Sequence, residues 1–318
     1  MGQPGLLLHC NGNDASTVFT DSSPTPHSIS PAGNAQIDQA NKKFGTGSCM
    51  LDGTGDWLTA AGHADFADIF NSVSSDWTID FWCKMNAVHA FDYFITYFVD
   101  INNRWLIRHK SASGWLVSVI EGGGAAKIET SQSGIVADAL WHHYAICKVG
   151  TIYGAYLDGT QIGYDSTSNT VSFGTGGTLY IGQGGSGSDL VNGYLDEIHI
   201  IPENIFTALP NAGLTDTITV PVSEHPDAGG AGTISGTIKD ADGNAVNCEL
   251  FPVRMNVYQK LNETQPPTST QLIISSGGTF SFTGLNVGTK YLITAEYEGA
   301  HEPSSTTDIA NCFYATAA

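Results

Sequence analysis

Short apolar stretches that alternate with period two, separated by clusters of Gly, Asn, Asp and Ser, recur along the chain. That pattern fits an all-β sandwich and little else. The stretches include Trp77 to Met85, Tyr93 to Asp100, Trp105 to His109, Trp115 to Glu121, Trp141 to Lys148, Ile152 to Leu157, Leu179 to Gly182 and Tyr194 to Ile201. Alternation is clearest where Trp77, Ile79, Phe81 and Cys83 share one face and Thr78, Asp80 and Trp82 the other. Asp158-Gly159 sits between two such stretches, and this dipeptide suits the positive φ angles of a tight hairpin turn. Asn102-Asn103 reads the same way. Helix signals shrink to one short turn at Ala64 to Phe70, so the expected fold class is all-β.

A chain of 318 residues suits two domains, each large enough to bury its own core. With 41% hydrophobic residues, 37 glycines and 14% charged residues, it is a folded, turn-rich chain. Prolines and the run Asp227-Ala228-Gly229-Gly230-Ala231-Gly232 mark a break. The expected division is a domain at 1–208, a linker at 209–232 and a smaller domain at 233–318.

Twelve Lys and Arg against thirty-one Asp and Glu give a net charge of -19, which repels nucleic-acid phosphates and anionic lipid heads. Nucleic acid is excluded as a partner on that ground. No run approaches the roughly 20 apolar residues of a membrane span, so membrane insertion is not expected either. The opening Met1-Gly2-Gln3-Pro4-Gly5-Leu6-Leu7-Leu8 lacks the basic and apolar regions of a signal peptide. The chain is therefore expected to be made and kept in a cytoplasm, or exported as part of something larger.

Six cysteines (Cys10, Cys49, Cys83, Cys147, Cys248 and Cys312) are scattered with no C-x-x-C and no His partner at metal-ligand spacing, so zinc is not expected and most thiols should be reduced. His142-His143 lies on a strand, where neighbours face opposite ways and cannot hold one ion together. The sequon Asn262-Glu263-Thr264 has no secretory context.

Catalytic strings are missing. A retaining glucanase needs two carboxylates roughly 5 Å apart on one strand face, written E-x-D-x-x-E, and no such string occurs. In Asp196-Glu197 strict alternation would send the two carboxylates to opposite faces. Gly182-Gln183-Gly184-Gly185-Ser186-Gly187 lacks the Lys of a phosphate-binding loop and reads as a glycine turn. No enzyme activity is expected.

For sugar recognition the useful types are an aromatic face, amides, a carboxylate and a cation carried on loops. Tyr97, Asp100, Asn102, Asn103, Arg104 and Trp105 supply these around one predicted hairpin tip. Arg104 and Arg108 are two of the three arginines in the chain.

Two groups of residues carry a family resemblance. One runs from Gly45-Thr46-Gly47-Ser48-Cys49-Met50-Leu51-Asp52-Gly53-Thr54-Gly55-Asp56-Trp57-Leu58 to Thr78-Ile79-Asp80-Phe81-Trp82. The other comprises Trp141-His142-His143-Tyr144-Ala145, Leu157-Asp158-Gly159 and Gly193-Tyr194-Leu195-Asp196-Glu197-Ile198. Together they resemble the laminin-G-like branch of the concanavalin-type jelly roll. With Leu6 to Gly12, Ser16 to Ser23, Gly33 to Ile37 and Lys43 to Gly45, the likeness extends to concanavalin A-like lectin domains of tailed-bacteriophage virion proteins, although Ile201 to Phe206 departs from the usual basic closing segment. Gly278-Thr279-Phe280-Ser281-Phe282-Thr283-Gly284-Leu285 and Lys290 to Tyr297 resemble the Ig-like sandwich called the carboxypeptidase regulatory-like domain.

These resemblances imply a noncatalytic virion structural protein: a head decoration, fibre or tail appendage assembled in the host cytoplasm. It would contact other virion proteins as a homo-oligomer, as a trimer in many such proteins, with glycans as candidate ligands. The competing expectation is a bacterial surface or secreted adhesin. No cofactor is required. Laminin-G-like domains suggest calcium as a candidate, with Asp52, Asp56 and Asp196 as the matching residues.

Overall fold

A computed structural model gives the fold. It describes residues 4–67, 69, 75–110, 114–120, 137–166, 173–185, 187 and 190–226, and beyond these the strands of the C-terminal region. The chain separates into two compact units, Met1–Pro226 and Asp227–Ala318.

The first unit contains β1 (Leu6–Leu8), β2 (Ser30–Ala32), β3 (Gln36–Asp38), β4 (Ser48–Asp52) and β5 (Trp57–Ala61), then the single-turn helix α1 (Ala64–Ala67). There follow β6 (Trp77–Ala87), β7 (Phe91–Asp100), β8 (Asn103–Lys110), β9 (Gly114–Ile120), β10 (His142–Val149), β11 (Ile152–Leu157), β12 (Thr160–Asp165), β13 (Thr178–Ile181) and β14 (Asn192–Ile201). An eight-stranded sheet runs β12-β11-β10-β6-β14-β4-β3, with β1 also on β14, and a six-stranded sheet runs β2-β5-β13-β7-β8-β9. Both are antiparallel, and they pack as a jelly-roll sandwich with almost no helix. The all-β expectation holds.

The alternation seen in the sequence sets the core. Trp77, Ile79, Phe81, Cys83 and Met85 of β6 face Phe94, Tyr97, Trp105, Ile107, Leu179 and Ile181 of the other sheet. Phe81 lies 5.4 Å from Phe94 and 5.7 Å from Tyr144, centroid to centroid. Such ring pairs add about 0.5–1.5 kcal/mol each beyond the area they bury. The turn between β11 and β12 has φ of 48° at Asp158 and 83° at Gly159, as the Asp-Gly dipeptide requires. The thiols of Cys10, Cys49, Cys83 and Cys147 are free and buried, while Cys248 and Cys312 lie outside the described residues.

The first unit does not end near residue 208. From Glu203 the chain crosses the outer face of the eight-stranded sheet as a strap. Ala208 and Ile218 pack on Ala145, Cys147 and Tyr156. Asp216 accepts from the Tyr156 hydroxyl at 2.6 Å, and Gly159 O accepts from Ile218 N at 2.8 Å. The part of the expected linker at 209–226 is thus tied down by hydrogen bonds to β11 and β12.

The second unit has β15 (Gly232–Thr237) paired with β18 (Thr279–Leu285), and a four-stranded sheet β17-β16-β19-β20 formed by β16 (Val253–Gln259), β17 (Ser269–Ile273), β19 (Lys290–Tyr297) and β20 (Phe313–Thr316). Strands therefore occur at Thr279–Leu285 and Lys290–Tyr297, within the two segments that carry the resemblance to the Ig-like sandwich.

Candidate functional site

The outer face of the six-stranded sheet is built by strand alternation. Cross-strand register sets Thr59 beside Tyr180, Tyr180 beside Thr96 and Thr96 beside Leu106. The next rungs hold Phe98 opposite Arg104 and Tyr93 opposite Arg108. A bulge between Tyr93 and Ile95 re-phases β7, so Tyr93 and Phe98 point outward while Phe94 and Tyr97 point inward. Arg108 Nη1 donates to the Tyr93 hydroxyl at 2.5 Å, and its guanidinium carbon stands 4.8 Å from the Phe91 ring centroid and 5.2 Å from that of Tyr93. Phe98 meets Tyr180 edge-on at 6.5 Å.

Trp57, Phe91, Phe98, Tyr180, Arg104 and Arg108 are half-buried, whereas Thr96 and Leu106 between them are fully covered. Thr96 Oγ1, Arg104 Nε and Arg108 Nε meet no hydrogen-bond partner among the described residues. The glycine turn 182–185 borders this face closely, since a Cβ on Gly185 would lie 2.5 Å from the Phe98 ring. The result is an aromatic floor with two half-buried cations. These are the elements that hold a polyhydroxylated ring, with C–H groups on aromatic carbon and N–H donors to hydroxyls.

The hairpin expected to bind sugar divides between two faces. Tyr97 and Trp105 are fully buried in the core, stacked at 6.4 Å, with Tyr97 Oη donating to Gly174 O and Trp105 Nε1 to Phe66 O. A ring with no exposed area cannot stack on a ligand, which corrects that part of the expectation. Asp100 accepts from the backbone N–H of Asn102 and Asn103 and from the Asn103 amide, so it shapes the turn. The Asn103 hydrogen bonds, then that of Asn102, hold its carboxyl below the usual range. Arg104 alone of the six belongs to the aromatic face.

Of the carboxylates matched to calcium, Asp52 and Asp56 stand side by side at one turn, and Asp196 binds the backbone of Lys43, Phe44 and Glu197. Asp56 accepts from Asn34 N at 2.7 Å and Asp52 N at 3.1 Å, and Asp52 accepts from Thr54 N. Asp196 accepts from Lys43 N, Phe44 N and Glu197 N, and burial pushes its carboxyl up to about 7 against those donors.

The outer face of the eight-stranded sheet holds groups that sequence reasoning missed. Asp80 is fully buried; its carboxylate lies 3.0 Å from His143 Nε2, 3.1 Å from His199 Nδ1 and 2.7 Å from His225 Nε2. Burial acts to raise the Asp80 carboxyl, but the His225 charge and the three imidazole hydrogen bonds outweigh it and hold it well below the usual range. Burial lowers His199, while at His225 Asp80 overcomes the same effect and raises the ring. Beside them Glu197 accepts from His225 N at 2.7 Å and lies 2.7 Å from His9 Nδ1.

Glu197 reaches this face through a backbone irregularity. The register of β14 shifts between Asp196 and His199, and Glu197 adopts φ of 51°. Leu195 and Ile198 both enter the core, so Asp196 and Glu197 leave it on the same side, contrary to strict alternation. The only signal of the cluster in the sequence is an excess of His at outward positions, and the bulge hides even that.

Residues 52–205 match the family model Laminin_G_3, described as the concanavalin A-like lectin/glucanases superfamily. No curated protein matches the chain. Among solved structures, the chain is similar to domain 4 of AbnA, a GH43 extracellular arabinanase from Geobacillus stearothermophilus in complex with arabinotriose. The identity there is 14% and the TM-score 0.47, over 69% of this chain and 96% of that one. It is also similar to the binding domain of Paraclostridial Mosquitocidal Protein 1, at 12% identity and a TM-score of 0.49 over 98% of this chain and 75% of that one. The first unit, with its two antiparallel sheets, is thus a jelly-roll sandwich in which residues 52–205 are similar to the concanavalin A-like lectin/glucanases superfamily.

Proposed function

We propose that this chain is a noncatalytic structural protein of a phage particle whose jelly roll binds carbohydrate on the outer face of the six-stranded sheet. The observation that carries the binding reading is the row Tyr180, Phe98, Tyr93 and Phe91 with Arg104 and Arg108 set into it. The half-buried rings of Tyr180, Phe98 and Phe91 beside guanidinium N–H groups suit a sugar ring presenting one apolar face and a rim of hydroxyls, with Tyr93 buried between them as support. The noncatalytic reading is supported by chemistry: the outward residues named on this face include no carboxylate, and glycoside hydrolysis requires a pair. The virion reading is supported by the sequence likeness of residues 6–45 and by the strands of the second unit at the positions expected of an accessory sandwich. Assembly with other virion proteins as a homo-oligomer belongs to the same proposal.

Two experiments test it. On a glycan array the full chain should bind a restricted set of oligosaccharides, with binding reduced at least about 10-fold in Tyr180→Ala and Arg108→Ala; no binding, or unchanged binding in both variants, would contradict the reading. Immunogold electron microscopy with an antibody to the jelly roll should label heads or tails of particles. Label on bacterial envelopes and none on particles would instead favour the adhesin.

A further inference from the structure

The geometry points to a divalent transition-metal site formed by Asp80, His199 and His225 on the outer face of the eight-stranded sheet, with zinc as the ion. An Asp80 carboxylate oxygen, a His199 ring nitrogen and a His225 ring nitrogen lie within 4.8 Å of one another. Tetrahedral zinc with ligands at about 2.0–2.1 Å places neighbouring donors roughly 3.3 Å apart. His199 Nδ1 lies 3.1 Å from Asp80 Oδ1 and His225 Nε2 lies 2.7 Å from Asp80 Oδ2, so the two imidazoles approach the two oxygens of one carboxylate and reach that spacing after outward shifts of about 0.2 and 0.6 Å.

Donor type selects the ion. Two imidazoles and one carboxylate suit zinc and its first-row neighbours, whereas calcium and magnesium take oxygen donors. The surroundings match what supports metal ligands elsewhere. His143, fully buried, hydrogen-bonds Asp80 Oδ2 at 3.0 Å and so orients the ligating carboxylate. Glu197 holds the His225 backbone N–H at 2.7 Å and fixes the third ligand in place. Glu224, on the strap beside His225, also groups with Glu197 and His9. Asp80, Glu197 and Glu224 together supply the negative charge that offsets a dication in a covered site.

The consequence is mechanical. Asp80 and His199 sit on neighbouring central strands, and His225 arrives on the strap just before the unit ends at Pro226. An ion bound by all three fastens the strap to the sheet.

Zinc titration of the chelator-stripped full chain, followed by calorimetry, tests the site. One equivalent of Zn2+ should bind. His225→Ala and His199→Ala should each weaken binding at least about 10-fold with an unchanged far-ultraviolet circular dichroism spectrum, and His143→Gln about 10–100-fold. His63→Ala, which removes a ligand of the separate His27, His63 and Asp65 group, should leave binding unchanged. Should His199→Ala fail to fold, the visible spectrum of the Co2+-loaded wild-type chain decides, because a four-coordinate nitrogen and oxygen site gives intense d–d bands that must vanish in His225→Ala. No uptake of zinc by the wild-type chain overturns the proposal. So does zinc affinity that survives His225→Ala or depends on His63 instead.

Discussion

His225 Nε2 lies 2.7 Å from Asp80 Oδ2, although 145 positions separate the two residues in the chain. That bond closes the strap over β6 and β14, and it turns a stretch with the composition of a linker into part of the first unit. Apolar contacts do the same farther back, where Ile218 and Ala208 cover Tyr156 and Cys147.

Replacing Asp80 with Ala removes the acceptor shared by His143, His199 and His225. Breaking a buried, hydrogen-bonded pair from one side costs about 3–5 kcal/mol. Thermal or urea denaturation should show a loss of that order, and cleavage at 209–226 should become faster in limited proteolysis.

Asp21 pins the chain between β1 and β2. Its carboxylate accepts from Leu7 N, Ser23 N, Ser23 Oγ and His27 N at 2.8–3.0 Å. In Asp21→Ala several buried donors lose their acceptor, at about 1–3 kcal/mol each. Urea unfolding should register a drop of about 3 kcal/mol or more.

Gly159 combines φ of 83° with a position where a Cβ would stand 2.7 Å from Ile218 O. Gly159→Ala therefore strains the turn and presses the strap away from β12. The expected cost is about 1–3 kcal/mol, measured by thermal unfolding.

His142 provides the pH test. Burial works against its charged form, but Asp158 at 2.7 Å and Asp138 at 3.1 Å outweigh it and raise the ring above the ordinary 6.5. A raised histidine contributes stability that is fully present below about pH 6.5 and is lost as the pH climbs through the folded value. Nuclear magnetic resonance titration should find His142 above 6.5, and Asp158→Asn should bring it down.

Much of the sandwich is legible in the sequence because alternation and turn chemistry act locally: Trp77, Ile79, Phe81 and Cys83 fall on the core face, and Asp158-Gly159 makes its hairpin. Where strands break phase, that reading fails. The bulge at Tyr93 to Ile95 decides that Tyr97 faces the core and Phe98 the outside, so a hairpin read by residue type alone assigns the wrong aromatics to the surface. The bulge at Glu197 likewise brings a carboxylate out beside Asp196. Asp80 meets imidazoles 63, 119 and 145 positions away. Contacts at that range depend on sheet order and leave no local pattern.

The most direct test of the account is a nuclear magnetic resonance titration of the isotope-labelled full chain with the best oligosaccharide from the array. The account predicts shift changes on Tyr180, Phe98, Arg104 and Arg108 and the loss of those changes in Arg108→Ala. Shift changes confined to other surfaces, with Arg108→Ala binding normally, would contradict it.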